Sequence, residues 1–449
     1  MDFSTDFIAV AGFVTLFVLM LLRVPVGMAM GLVGVSGYAL IAGGGPALKL
    51  IGQTSMRTVT DYTFGVIPMF MLMGAFVSVS GVSRELFRAA NALIGHLRGG
   101  LGMATVLACG GFAAICGSSV ATAATFSTVA YPEMRRYGYP QSFSTGVIAA
   151  GGTLGAMLPP STVLAVYAVI TQQDIGKLFM AGVLPGLLAM SMYVLTIGAI
   201  VFVKPNLLPA GEKRPWPERL VALKDVWGSL VLFAFVIGGL YGGFFTPTEA
   251  GGVGAAGAFL LGVLRRKLDR NGIRTALLQA TRTAAAVFTV LIGALLFGYF
   301  LTITQTPQKL TAFLTDLGIG RYGVLALIMV MYLVLGCLMD AMAMIILTVP
   351  IIFPVIMQLG FDPIWFGVII VMTVELGLIH PPVGMNVFVI KSVVKDVSFT
   401  TIFKGVLPFV ATDIIRLMNA RSRVLISVLR AEVIPAASVI RAKSVLNLF

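Results

Sequence analysis

The sequence predicts an all-α polytopic membrane protein with inverted repeats, from an apolar composition, apolar segments of spanning length and an internal repeat. The 449 residues are 58% hydrophobic and 11% charged, with a mean hydropathy of +1.00. Charged residues make up about 25% of an ordinary soluble domain. No water-soluble core of this length needs so much apolar surface, whereas a set of bilayer spans of roughly 20 residues each does.

Charge and proline divide the apolar stretches into ten predicted crossings. They cover residues 7–22, 25–43, 64–82, 144–170, 178–203, 227–245, 247–265, 283–303, 365–390 and a last one from about 404. Two further apolar regions, 101–134 and 322–356, are too long for one span and are broken by Gly, Ser and Pro. Each could form two full spans or one re-entrant hairpin, and either alternative returns the chain to the side on which it started.

The positions of the basic residues predict the orientation in the membrane. The Lys and Arg residues number 31 and give a net charge of +13, which by itself would also suit a nucleic-acid-binding protein. They fall, however, in short loops between the predicted spans, as in the cytoplasmic loops of membrane proteins. We therefore predict a lipid-bilayer protein with no nucleic-acid partner and an outside N-terminus. The predicted cytoplasmic segments contain Arg23, 84–98, 135–136, 204–224 and 265–274.

Two charged segments keep a helical period of apolar residues. Residues 83–99 and 266–282 have this pattern, which is typical of amphipathic helices lying along the membrane interface. For 266–282, an ordinary polar loop is an equally good interpretation.

The chain repeats itself at a constant offset of 222 residues. Tyr131-Pro132, Gly138, Phe143, Gly155 and Pro159-Pro160 recur as Phe353-Pro354, Gly360, Trp365, Gly377 and Pro381-Pro382, and Pro25 matches Pro247. Five net crossings separate the last pair, and an odd number inserts the two halves upside down relative to each other. This architecture is typical of secondary transporters, although channels also use it. The predicted organisation is a first span (1–24), inverted repeat 1 (25–203), a cytoplasmic loop and connecting span (204–246), inverted repeat 2 (247–417) and an atypical basic tail (418–449).

The repeat is strongest where two predicted spans should be interrupted. Adjacent prolines remove two backbone donors and leave carbonyls of the preceding turn without partners. Within a membrane such groups must face a protein-enclosed cavity, where carbonyls suit a small cation and the next helix N-terminus suits an anion. A simple proline kink is the alternative. The candidate residues in these two spans are Gly151, Gly152, Thr153, Gly155, Pro159 and Pro160, then Glu375, Gly377, His380, Pro381, Pro382, Gly384 and Asn386.

A hairpin candidate precedes each interrupted span. The first contains Ser118 and Ser119, whose hydroxyls could supply oxygens at a turn or could simply allow close helix packing. The second contains Asp340. Asp340, Glu375 and His380 are the ionisable residues deepest in the predicted spans, where such residues are costly and usually functional. For Glu375 and His380, a buried structural pair or a boundary position is the alternative.

Several catalytic patterns are missing from the sequence. It contains no G-x-x-x-x-G-K-[ST] phosphate loop, no Ser/His/Asp constellation and no cluster of metal-ligating residues. Cys109, Cys116 and Cys337 lie in apolar stretches and are predicted to be core residues. We expect no enzymatic activity and no cofactor, which leaves an ion gradient as the source of energy.

Five strings identify a family resemblance. AAGGTLGAMLPPS, TPTEAGGVGA, MDAMAMIILTVPIIFPV, LGFDPIWFGVI and ELGLIHPPVGMNVFV closely resemble the large membrane subunit of tripartite ATP-independent periplasmic (TRAP) transporters, the DctM-like family. The resemblance covers about residue 5 to Leu417. It implies a sodium-driven elevator transporter of the ion transporter superfamily type, in the bacterial inner membrane, that imports an organic acid such as a C4-dicarboxylate. It also implies two partners, a small DctQ-like membrane subunit and a periplasmic DctP-like solute-binding protein.

The resemblance further implies where sodium, the coupling ion, is held. Sodium would bind around the two hairpin tips and the two interruptions, through backbone carbonyls near Ser118, Gly152, Gly377 and Gly384. The corresponding residues are Ser118, Ser119, Gly152, Gly155 and Pro159 in one half and Asp340, Gly377, Pro381, Gly384 and Asn386 in the other.

The end of the chain departs from the family pattern. After Leu417 the family would complete an apolar helix, whereas this sequence continues with Arg421, Arg423 and further charges. The last span is therefore predicted to be about fourteen residues long, and a frameshift or altered gene end is one hypothesis for the tail. Two other functions stay open: a stand-alone sodium–dicarboxylate symporter with a similar fold, and, as the weakest, a channel-like pore.

Overall fold

The computed structural model describes residues 4–316 and 318–419, which are predominantly helical. Within these ranges, eight helical segments are long and apolar enough to cross a membrane, and four further apolar helices have 17 residues each. At 1.5 Å per residue, 17 residues extend about 26 Å, near the lower limit for a span. The described chain is thus an all-helical polytopic membrane protein, as predicted.

The helices follow one another in two series of similar order. The first comprises α1 (Thr5–Leu21), α2 (Val26–Ala42), α3 (Gly44–Thr60), α4 (Val66–Val79), α5 (Val82–Ile94), α6 (Gly100–Cys116), α7 (Ser119–Arg136), α8 (Gln141–Met157), α9 (Thr162–Thr171) and α10 (Ile175–Val203). The second comprises α11 (Trp216–Tyr241), α12 (Pro247–Leu264), α13 (Arg270–Ile303), α14 (Thr306–Asp316), α15 (Gly320–Leu338), α16 (Ala341–Gln358), α17 (Pro363–Ile379), α18 (Met385–Val393) and α19 (Phe399–Asn419). The starts of α16 and α17 lie 222 residues after those of α7 and α8, the offset seen in the sequence.

The predicted interruptions coincide with real helix ends. Helix α8 ends at Met157 and α9 begins at Thr162, while α17 ends at Ile379 and α18 begins at Met385. Both Pro-Pro peptide bonds in these gaps are cis. The regions 101–134 and 322–356 are each a pair of packed helices, α6 with α7 and α15 with α16.

Residues 270–282 are helical, as one interpretation of 266–282 predicted, so the alternative of a polar loop was wrong for them. The helix is not a separate one, however, because α13 runs without a break from Arg270 to Ile303. Its buried Gly272, Ala276 and Ala280 recur every four residues, so one face packs while the arginines remain outside. The predicted amphipathic helix in 83–99 is confirmed as α5. Helices α3 and α14 were not predicted.

Helices α8 and α17 form the centre of the molecule. Every residue from Phe143 to Met157 and from Trp365 to Ile379 is buried. By contrast, α1 exposes Phe7, Val10 and other large apolar side chains, as expected for a surface in contact with lipid tails. The interrupted helices are therefore enclosed by protein, where freed backbone groups can be tolerated.

The last described helix is longer than predicted. About fourteen apolar residues were expected for the last span. Helix α19 has 21 residues, because it begins before the apolar stretch. The predicted basic tail, 418–449, lies outside the described residues from 420 onward. The predicted division of the chain into domains stays a prediction.

Candidate functional site

Each hairpin turn contacts the interruption that follows it in the chain. The carbonyl oxygen of Gly117, in the turn between α6 and α7, accepts the Thr162 hydroxyl at 2.9 Å and the Thr162 backbone N–H at 3.4 Å. In the second half, the Gly384 N–H donates to the Cys337 carbonyl at 3.3 Å. The backbone groups that a helix would have paired thus find partners in a neighbouring turn.

The two turns are capped by polar side chains at equivalent positions. Ser118 accepts the Ala121 N–H at 3.4 Å at the start of α7. Asp340 accepts the N–H groups of Met342 at 2.9 Å and Ala343 at 3.3 Å at the start of α16. Ser and Asp are favoured caps because their oxygens pair with the orphan donors of the first turn. Both predicted residues are therefore positioned at helix N-termini.

Two predicted glycines permit close backbone contact at these turns. A Cβ on Gly155 would lie 2.6 Å from the carbonyl carbon of Ser118, and a Cβ on Gly377 would lie 2.7 Å from the Cα of Gly336. Real Cβ atoms essentially never approach so closely. The glycines let each central helix contact the backbone of the preceding hairpin directly, in the manner of small-residue packing between membrane helices.

Polar contacts also join the two halves. The Asn386 side-chain amide at the start of α18 donates to the Ala149 carbonyl of α8 at 3.2 Å. Within the first half, Ser119 donates to the Thr153 carbonyl at 3.4 Å. The Asn386 Oδ1 is buried without a hydrogen-bond partner, and buried polar atoms normally have one. An amide oxygen is a hard donor of the kind that suits a small cation.

A cavity of about 620 Å³ lies where the hairpin turns meet α4 and α13. Its wall carries Ser118, Ser119 and Asp340 of the predicted residues, and Leu378 and Met385 beside the second interruption. Three polar wall residues, Thr162, Gln279 and Thr283, were not among the predicted set. The spacing of Gln279 and Thr283 places them on one helix face. The sequence prediction assigned Gln279 to the segment 266–282 and Thr283 to the crossing 283–303, and this division concealed the signal.

Four helices begin at the wall of this cavity. They are α7, α9, α16 and α18, whose first residues are among the lining side chains. Helix N-termini carry partial positive charge. Asp340 is the one carboxylate among the described lining residues, which include no Lys or Arg. The wall therefore offers an acid, hydroxyls and backbone dipoles.

Glu375 is placed away from this cavity, in a buried ionic cluster. Its Oε2 lies 2.8 Å from Arg416 Nη2, which also lies 3.1 Å from Asp413 Oδ1, and none of these side chains is more than 1% exposed. Tyr193 donates to Asp413 at 2.6 Å and contacts Thr153 at 3.2 Å. The alternative interpretation of Glu375 as part of a buried pair thus fits its surroundings, with Arg416 rather than His380 as partner.

The remaining predicted residues surround the interruptions without lining the cavity. His380 is partly exposed, and its Nδ1 lies 2.7 Å from the Pro381 carbonyl oxygen. Gly151 packs against Cys109. Pro159 and Pro160 are buried, Pro381 is partly exposed and Pro382 is exposed. All three cysteines are buried and free, as predicted. In the described part of the chain, no group of three His, Cys, Asp or Glu side chains is placed to hold a metal ion.

Comparison with known proteins gives a consistent result. A family model described as "Tripartite ATP-independent periplasmic transporter, DctM component" matches residues 13–424. The "C4-dicarboxylate TRAP transporter large permease protein DctM" of Pseudomonas aeruginosa is 42% identical over 339 residues, covering 75% of this chain and 79% of that protein. The "Sialic acid TRAP transporter large permease protein SiaM" of Vibrio cholerae is 31% identical over 387 residues, covering 86% of this chain and 89% of that protein. The resemblance found in the sequence motifs is confirmed.

A solved structure shares the fold at low sequence identity. The YdaH transporter of Alcanivorax borkumensis matches with a TM-score of 0.60 and 16% identity, covering 84% of this chain and 88% of that one. The likeness concerns the arrangement of helices alone.

Proposed function

Since the chain belongs to the DctM family of TRAP transporters, as a large permease, we propose that it imports an organic acid with the energy of a sodium gradient. It is a multi-pass protein of the inner membrane and a transporter subunit rather than an enzyme. The observation that carries the proposal is the 620 Å³ cavity at which both hairpin turns and the second half-helices of both interrupted spans meet.

The donor set at the turns supports sodium as the coupling ion. The buried Asn386 Oδ1 without a partner and the Asp340 carboxylate at the cavity wall are oxygens with unused acceptor capacity. A sodium ion beside Asn386 would satisfy the orphan oxygen, and a sodium ion beside Asp340 would offset the negative charge of this carboxylate. Carbonyls near Ser118, Gly152, Gly377 and Gly384 complete the proposed sites.

The same cavity explains how an anion enters a space whose lining carries an acid and no basic side chain. Four helix N-termini direct partial positive charge toward it, and each contributes a fraction of an elementary charge. Bound sodium ions add the rest of the positive potential. Because the anion is favoured only when sodium is present, the fluxes of sodium and organic acid become coupled.

We further propose inverted repeats with re-entrant hairpins that move as an elevator. Each hairpin turn contacts the gap between two half-helices, for example through Gly117 and Thr162. A turn at the depth of such a gap lies inside the bilayer, so its two helices enter and leave on one side. The likeness in fold to the YdaH transporter supports a transporter arrangement.

For the cargo we propose a C4-dicarboxylate-like acid, delivered by a periplasmic binding protein to a complex with a small membrane subunit. The substrate class rests on the relative with the 42% identity. A relative named for sialic acid is 31% identical to this chain, so the same permease architecture accepts acids of different size. Shared use of backbone dipoles and hydroxyls, which recognise any carboxylate, accounts for this range.

The decisive experiment is uptake in proteoliposomes that contain this chain with its small subunit and binding protein, across a panel of labelled organic acids. We expect uptake to require an inward sodium gradient and the binding protein. Asp340→Asn keeps the helix cap but removes the charge, so it should raise the sodium concentration for half-maximal uptake at least tenfold. Asp362→Asn is the matched control, because Asp362 caps α17 at 2.8 Å from the Trp365 nitrogen and is exposed outside the cavity.

Each other outcome has a distinct meaning. Uptake without the binding protein would favour a stand-alone symporter. Passive flux without sodium coupling would favour a pore. Equal effects of Asp340→Asn and Asp362→Asn would show that charge at the cavity does not explain the loss.

A further inference from the structure

A groove of about 500 Å³ lies between α10 and α19, and it shares no lining residue with the cavity described above. Its wall is mostly apolar, with Phe143, Ile200 and Val203 among the lining residues. Phe202 and Leu407, on the same two helices, are 89% and 55% exposed. Large apolar side chains exposed together mark a surface that contacts a partner or a membrane. In a multi-pass protein, the groove therefore opens toward lipid.

Packing between three helices fixes the shape of this groove. Its inner end is closed where Thr196 of α10 and Thr412 of α19 share a hydrogen bond of 2.6 Å between their hydroxyls. Its floor is α8, which contacts α19 so closely that a Cβ on Gly405 would lie 1.7 Å from the Ser142 carbonyl oxygen. The groove is thus part of the packed helices and does not depend on a loop.

Two lysines line the open end of the groove. Lys204 caps the C-terminus of α10, and Lys404 lies in the second turn of α19. Each is eight residues from the contact between Thr196 and Thr412, in helices that run in opposite directions. At 1.5 Å per residue, both lysines lie about 12 Å from that contact. They are therefore at a similar level, one on each side of the groove.

The positive charge at this end has no acidic counterpart among the described residues. The described lining residues include no Asp or Glu, and the ion pairs within 4.0 Å in the described chain involve neither lysine. Asp396, shortly before α19, accepts from Tyr131 and Gln141 instead. The dipole of α10 favours a cation at Lys204. It does not explain a second cation near the start of α19, where the helix dipole has the opposite sign.

We propose that this groove binds an anionic phospholipid, with the phosphate between Lys204 and Lys404 and an acyl chain along the apolar wall. Basic pockets between membrane helices bind anionic headgroups in this way. Lys204 begins the segment 204–224, which its basic residues assign to the cytoplasmic side, so the lipid comes from the cytoplasmic leaflet. It ties the end of α10 to the start of α19.

The two kinds of lining residue favour a lipid over other occupants. A free phosphate would pair with the lysines and leave the apolar wall uncovered. An apolar helix of another subunit would cover the wall and bury two ammonium groups without a counter-charge, which is costly. A phospholipid satisfies both parts of the groove. The proposal does not depend on the coupling ion or the substrate.

Thermal unfolding of the purified full chain in maltoside detergent tests the proposal. Phosphatidylglycerol and phosphatidylcholine with identical acyl chains are titrated separately, and inorganic phosphate forms a third arm. We expect phosphatidylglycerol alone to raise the melting temperature, because a ligand that binds only the folded state stabilises it. In the double variant Lys204→Gln, Lys404→Gln, the phosphatidylglycerol concentration for the half-maximal rise should be at least tenfold higher.

The matched control is the double variant Lys213→Gln, Lys224→Gln. Both lysines are exposed and lie in the same predicted cytoplasmic segment, but neither lines the groove. The variant loses the same charge on the same side, so its response to phosphatidylglycerol should match the wild type.

Photolabelling locates the lipid without any variant. Phosphatidylglycerol with a diazirine in one acyl chain should label residues 199–207 and 404–408 of the wild-type protein more than residues 17–22, a largely exposed apolar stretch on the same predicted side. Equal labelling of these stretches would overturn the proposal, even if a variant does not fold.

Four other results would also overturn the proposal. They are equal stabilisation by the two lipids, the same rise with inorganic phosphate, equal responses of the two double variants, and loss of the label from the groove when the small membrane subunit is present. The second would indicate a site for free anions, and the last would show that a protein occupies the groove.

Discussion

Arg416 is the residue whose loss should disturb the described fold most. It is among the largest fully buried side chains and bridges Glu375 on α17 and Asp413 on its own helix α19, with its Nη1 at 3.5 Å from the Pro185 carbonyl of α10. Arg416→Met replaces the guanidinium side chain by an apolar one of similar length. It removes the only cation of the cluster and leaves two buried acids facing each other.

The size of the effect follows from the burial. Removing one partner of a buried ion pair costs about 3–5 kcal/mol. At about 1.4 kcal/mol per factor of ten, this lowers the folding equilibrium constant by roughly two to three and a half orders of magnitude. Protonation of both acids at low pH would recover part of it. Arg57→Met is the matched control, because Arg57 is exposed on α3 and exposed substitutions usually change stability by about 0.5 kcal/mol or less.

The assay is denaturant or thermal unfolding in detergent, with a compensated variant beside the single one. The triple variant Glu375→Gln, Asp413→Asn, Arg416→Met carries no formal charge in the cluster and should recover most of the lost stability, since neutral replacements of buried ionic groups are often tolerated. If Arg416→Met were as stable as Arg57→Met, or if the triple variant were no better than the single one, the reasoning from buried charge would be refuted.

Two smaller changes test the site itself. Gly155→Ala should lower the free energy of unfolding by about 1–3 kcal/mol through overpacking and reduce sodium-dependent uptake, because its Cβ would lie 2.6 Å from Ser118. Gly298→Ala is the control: with nothing within 4 Å of its Cβ, it should leave both unfolding and uptake near wild type. Thr162→Val removes the 2.9 Å hydrogen bond to Gly117 and should lower the free energy of unfolding, measured by thermal unfolding, by about 0.5–1.5 kcal/mol. Equal stability of the variant and the wild-type protein would contradict a role for this contact.

The interruptions of the two central helices could be predicted because their cause is local. Proline lacks the backbone donor that a helix needs, so Pro159-Pro160 and Pro381-Pro382 indicated where α8 and α17 end. The constant offset between the halves then identified the equivalent turns. Ser118 and Asp340 were also found, Ser118 for its hydroxyl in the first hairpin candidate and Asp340 as an ionisable residue deep in the second; that both are helix caps became clear only from the structure.

Other parts of the site depend on contacts distant in sequence. Arg416 lies 41 positions from Glu375, and Tyr193 lies 220 from Asp413, and no local period relates these pairs. The continuity of α13 was missed for a different reason. Its arginines suggested an interfacial segment, but the buried small residues at every fourth position keep one face packed. As a result Gln279 and Thr283 were not expected at the cavity wall.

Asp340 and Glu375, two of the three ionisable residues that looked equivalent in sequence, differ in what surrounds them. Asp340 lies at a cavity wall and is partly exposed, so an ion can reach it and leave again. Glu375 is fully enclosed and held by Arg416, so exchange of a hydrated ion would require separating packed helices. Accessibility, rather than depth in the membrane alone, therefore distinguishes the acid suited to cargo-coupled ion exchange from the acid that forms a buried ion pair.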